Sequence, residues 1–124
     1  MYSVRIRDHI MIAHSLGNDG YFGPAENLHG ATYVVDVTFF SEVLNDHNIV
    51  IDIAMAQKLL EKILSHINYQ NLDKLDVFKD QITTTEFMAK YIHNEMKSEI
   101  KSIFSGRIKV QLGESHVAWA AYES

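Results

Sequence analysis

Apolar side chains fall on alternate positions along residues 3–14, SVRIRDHIMIAH, at Val4, Ile6, Ile10 and Ile12. That period of two predicts a strand with one buried face, ending at His14. The same pattern returns over residues 31–40, ATYVVDVTFF, where Tyr33, Val35, Val37 and Phe39 alternate with Val34, Asp36, Thr38 and Phe40. β-Branched and aromatic residues dominate the stretch, which predicts a second strand. The loop between them carries Gly17, Gly20, Gly23 and Pro24, so a long hairpin would bring His14 beside His29. The period then lengthens. Asp52 is a suitable N-cap for a helix with Ile53, Ala56, Leu59, Leu60, Ile63, Leu64 and Ile67 on one face. A second helix opens at TTTEFMAKYI, where Thr83 and Glu86 have capping-box spacing. Its apolar side is Phe87, Tyr91, Ile92, Met96, Ile100 and Ile103, with Gly106 as its C-terminal stop. Two closing strands follow, RIKVQL and HVAWAAY. The order ββααββ predicts an α+β fold, a four-stranded antiparallel sheet with both helices on one face. The other face must stay polar or meet a partner.

Composition narrows the picture. A chain of 124 residues, 47 % hydrophobic, suits one domain over 1–124 with one core. With one Pro, six Gly and no internal repeat, the whole length should fold. No apolar run is long enough for a bilayer, and the chain starts on MYSVRIRDHI, with no signal-peptide pattern; a cytoplasmic protein without a membrane partner is expected. The formal net charge of −5, with Lys and Arg scattered along the sequence, argues against nucleic acid as a partner. No cysteine is present, so thiolate ligands, disulfides and a cysteine nucleophile are excluded. Seven histidines raise the question of a metal.

Imidazole nitrogen suits zinc, and catalytic zinc takes three protein ligands plus an open position. His14 and His29, at two neighbouring strand ends, are candidates for two of them; hydrogen-bonded or surface histidines are the alternative. A third ligand could come from His47, His66, His116 or Glu26. His66, near the end of the first helix, can relay protons or cap carbonyls. Glu26 and Glu114, taken singly, read as solvated carboxylates.

Several segments together resemble the family of 6-pyruvoyltetrahydropterin synthase and 6-carboxytetrahydropterin synthase. IMIAH resembles that family's strand ending in a zinc-binding histidine, and LHGATY its His-Gly-His entry into the second strand. NIVIDIAMAQKLL, LSHINYQNLD, TTTEFMAKYI, VQLGES and the closing AAY are similar to its later segments, in the family's order. The resemblance implies the tunnelling fold, in which trimers close their sheets into a barrel and commonly stack into hexamers, with pterin sites between subunits. It also implies a lyase acting on dihydroneopterin or its triphosphate, in queuosine or folate biosynthesis. The site residues it implies are His14 and His29 for zinc, Glu114, Thr84 and Thr85 for the pterin, and His66 for catalysis.

The departures matter as much. Ala31 stands where the family has its third zinc histidine, Ala25 where it has its usual cysteine, Ser65 where it has the aspartate before His66, and Thr83 where it has a proline. One branch of the family has a glutamate three residues before His-Gly-His in place of the cysteine, and Glu26 has that spacing. The resemblance therefore implies Glu26 as general base. A pterin-binding or regulatory protein that kept the pocket and lost the chemistry is the alternative.

Overall fold

The computed structural model describes residues 1–124 and contains four strands and two helices. These are β1 (Tyr2–His14), β2 (His29–Ser41), α1 (Ile53–Ser65), α2 (Thr85–Ile100), β3 (Arg107–Ser115) and β4 (Ala118–Glu123). The strands form one antiparallel sheet in the order β1-β2-β3-β4. The α+β, ββααββ architecture is as the periodicity predicts, with strand boundaries within about two residues except at the end of β3, which runs three residues past Leu112 to Ser115 and so contains Glu114.

Alternation sorts the sheet into two faces. Ile6, Ile10 and Ile12 of β1, Tyr33, Val35, Val37 and Phe39 of β2, and Ile108, Val110 and Leu112 of β3 are buried beneath the helices. From α1 they meet Ala56, Leu60, Ile63 and Leu64, and from α2 Met88, Ala89, Ile92, Met96 and Ile100, in one core of 23 residues. No helix is long and apolar enough to cross a membrane.

Three helix expectations are corrected. The N-cap of α2 is Thr84, whose hydroxyl accepts from the Phe87 amide at 3.1 Å, so Thr83 and Glu86 form no capping box. Thr83 is instead buried, with its hydroxyl turned toward β1. Helix α2 ends at Ile100, leaving Ile103 exposed, and Gly106 is not its stop. Glycine is required at 106 for space, because a Cβ there would run into the Phe40 carbonyl and the Phe104 ring. On α1, Asp52 caps as expected, accepting from the Met55 amide at 3.0 Å, while Ile53 stays exposed.

After α1 the chain lies along the β1 edge. Tyr69 N–H donates to Met11 O at 2.7 Å and Ala13 N–H to Gln70 O at 3.0 Å. This covers the edge beside His14, leaving the N-terminal half of β1 and the whole outer edge of β4 without a neighbouring strand.

Candidate functional site

The hairpin register sets His14 directly opposite His29. Their rings meet edge to face, centroids 4.7 Å apart. Each has one nitrogen engaged. His29 Nδ1 lies 2.8 Å from Asn27 O, and a carbonyl only accepts, so Nδ1 is the donor and Nε2 is left free of this contact. His14 Nδ1 lies 3.1 Å from Thr83 Oγ1, and both residues are 2 % exposed. Burial, and secondarily the facing His29, hold the His14 pKa below its ordinary value, so the buried ring is kept neutral.

The loop between the two strands is tied at both ends. Leu16 N–H donates to Ala25 O at 3.0 Å, and His29 Nδ1 donates to Asn27 O. Between these ties the 3-10 turn Gly23–Glu26 presents Glu26, whose Oε2 is buried without a hydrogen bond. Buried polar atoms are nearly always paired, so an orphan carboxylate oxygen marks a place where something else is to bind.

Thr83 joins the histidine pair to the first turn of α2, and that turn leads to a second cluster. A cavity of about 300 Å3 is lined by Thr85 and Glu86 of α2, Glu114 of β3 and residues 118–121 of β4. Tyr33, fully buried, has a hydroxyl with no hydrogen bond. Burial chiefly pushes its pKa up, as do the charges of Glu114 and Glu86, while the nearby Thr85 opposes this; the phenol stays protonated. The sequence reading missed Tyr33 and Thr83. Both look like ordinary strand and capping residues, and only a misplaced cap or an orphan hydroxyl singles them out.

The remaining candidates divide. Glu114 is exposed and faces the cavity, and Thr85 lines it. The Thr84 hydroxyl accepts the capping bond from the Phe87 amide, and Thr84 is not among the residues lining the cavity. His66 is the exposed C-cap of α1. Neither it nor His47, His116 or Glu26 completes a group of three possible ligands with the pair. The side chains of this chain therefore do not fit a three-ligand zinc site: two imidazoles are in place, and Ala31, on the same face of β2, has nothing to donate. A larger apolar groove of about 530 Å3, between the start of β1 and the start of α1, has Asp52 as its one ionisable acid or base besides Tyr2, and Asp52 is occupied in capping.

A family model described as 6-pyruvoyl tetrahydropterin synthase matches residues 3–124. Among solved structures, the 6-pyruvoyl tetrahydropterin synthase of Caenorhabditis elegans is similar at 26 % identity and TM-score 0.85, over 99 % of this chain and 95 % of that one. The Plasmodium falciparum synthase is similar in fold at 18 % identity and TM-score 0.76, over 98 % of each chain. A Plasmodium vivax synthase, solved as a variant with alanine replacing a glutamate described as a catalytic residue, matches at 16 % identity and TM-score 0.79, over 99 % of this chain and 97 % of that one. No curated protein sequence matches.

Proposed function

Because the chain belongs to the 6-pyruvoyl tetrahydropterin synthase family, we propose that it is a lyase acting on the side chain of a reduced pterin, dihydroneopterin or its triphosphate. The observation that carries this is Glu26. A solvated loop glutamate has both oxygens in water, whereas Glu26 keeps one buried and unpaired beside the histidine pair's own loop. That oxygen is a ready acceptor for a side-chain proton of the substrate. The catalytic glutamate of the Plasmodium vivax relative supports the same role.

At the other end of the site, the Glu114 carboxylate accepts two parallel N–H groups from the guanidine-like edge of the pterin ring. Thr85 lines the same cavity, and Thr84 fixes the helix start that shapes it. The steps rest on the chain's own groups: Glu26 moves the proton, Glu114 orients the ring, and the facing imidazoles of His14 and His29 hydrogen-bond the side-chain hydroxyls. His66, exposed on one chain, takes part as proton relay where a second copy brings it to the pair. The uncovered edges of β1 and β4 favour a homo-oligomer, a trimer or hexamer in which strand pairing between copies removes them.

The test is Glu26→Gln, which removes the base and keeps the shape. Turnover of dihydroneopterin and its triphosphate, followed by chromatography, should be abolished, with neopterin affinity within a few-fold of wild type. Unchanged turnover would return Glu26 to the loop. The missing third imidazole favours one other reading, a pterin-binding protein without catalysis; wild type that binds neopterin tightly and converts neither substrate would establish it.

A further inference from the structure

The sheet face turned away from the helices gathers charge that is dispersed in the sequence. Alternation places Arg5 and Arg7 of β1, Asp36, Thr38 and Phe40 of β2, Arg107, Lys109 and Gln111 of β3, and Glu123 of β4 on it. All three arginines of the chain are therefore on one face, in a protein of net charge −5. Two of them are occupied. Arg7 Nε and Nη2 donate to the two oxygens of Asp36 at 2.7 and 3.0 Å. Arg107 Nε lies 2.9 Å from Glu123 Oε2, and its guanidinium lies over the Phe40 ring, 4.5 Å from the centroid.

Arg5 and Lys109 have no ion-pair partner, and the register sets both opposite Thr38, one on each side. Both Asp36 oxygens are held by Arg7, so Arg5 adds to the field on that carboxylate without sharing its hydrogen bonds. The result is a row of donors, guanidinium, hydroxyl and ammonium, about 10 Å across. Asp36 is neutralised by Arg7, and Glu123, which stands opposite Lys109 at the end of the row, is paired with Arg107; Arg5 and Lys109 therefore leave the face with two cations in excess, which repel each other until an anion sits between them. Two free cations are too few for nucleic acid, which engages many phosphates at once. They suit a short linear anion, with the planar fork of Arg5 at one end.

We propose that the row Arg5–Thr38–Lys109 binds an oligophosphate chain, either as the free inorganic ion or as the phosphate tail of a larger ligand. This site is distinct from the strand-end site, since Lys109 and Glu114 lie five residues apart on β3, about 17 Å, and it does not depend on the proposed lyase activity.

Calorimetry and thermal melting with inorganic triphosphate, ATP and sulfate at matched ionic strength test it. Triphosphate should bind and raise Tm by a few degrees at saturation. The double variant Arg5→Gln/Lys109→Gln should lose about tenfold or more in affinity. The exposed-cation control Lys58→Gln/Lys101→Gln should stay within about twofold. Neither Arg5 nor Lys109 makes an ion pair, and Lys109→Gln alone serves if the double variant is poorly folded. Tighter binding of ATP supports a phosphate tail, and equal binding supports the inorganic chain. Stabilisation by sulfate equal to that by triphosphate, or equal loss in the control, would show general screening and overturn the proposal.

Discussion

Replacing Thr83 by Val tests the link between the histidine pair and the start of α2. Valine matches threonine in shape, so the change deletes one hydroxyl and opens no cavity. His14 and Thr83 are each 2 % exposed, and their contact at 3.1 Å is the one hydrogen bond of the buried imidazole Nδ1. Losing it leaves a buried polar nitrogen unpaired, at a cost of about 1–3 kcal/mol. For a chain of 124 residues, the unfolding entropy near the transition is roughly 0.26 kcal/mol/K, so Tm should fall by roughly 4–12 °C. Urea unfolding followed by circular dichroism should show a lower midpoint with an unchanged slope. Thr83→Ser, which keeps the hydroxyl, should lose clearly less. A Thr83→Val protein as stable as wild type would refute the reasoning, because the hydroxyl would then contribute nothing that a methyl group cannot.

Three other outcomes follow from the same geometry. The His14 pKa is lowered by burial and by His29, so the unfolded chain binds a proton more readily than the folded one; the stability this provides is complete above the ordinary value of 6.5 and is lost as pH falls below it. His14→Gln should flatten that part of a pH–stability profile, and an unchanged profile would place the acid sensitivity elsewhere. Ala31→His adds an imidazole two residues beyond His29 on the same face of β2 and should strengthen zinc binding about tenfold or more by competition with a chelating dye; no gain would mean the three side chains do not converge. Glu114→Ala should weaken neopterin binding about 30-fold or more, by removing two charge-assisted hydrogen bonds, whereas the exposed Glu61→Ala should not; equal affinities would remove Glu114 from the pocket.

The chain's local patterns were sufficient for the elements and for the pairing that matters most. A period of two ending at His14 and resuming near His29, across a glycine-rich loop, leaves a hairpin as the simplest connection, and in a hairpin the two imidazoles face each other. The helices were legible from their 3.6-residue stripes and from Asp52. What local pattern could not assign was the use of each polar atom. Spacing to Glu86 singles out Thr83 as the cap in the sequence; the fold instead divides Thr83, Thr84 and Thr85 among a histidine of β1, a helix amide and a cavity. Glu26 reads as a solvated loop residue in the sequence, whereas the fold buries one of its oxygens. Arg5 and Lys109 are more than a hundred residues apart in sequence, and the register of three strands sets them on either side of Thr38. Periodicity is a property of neighbours in sequence and follows from the solvent boundary alone, whereas hydrogen-bond partners and clustered charge depend on which distant segments pairing and packing bring into contact.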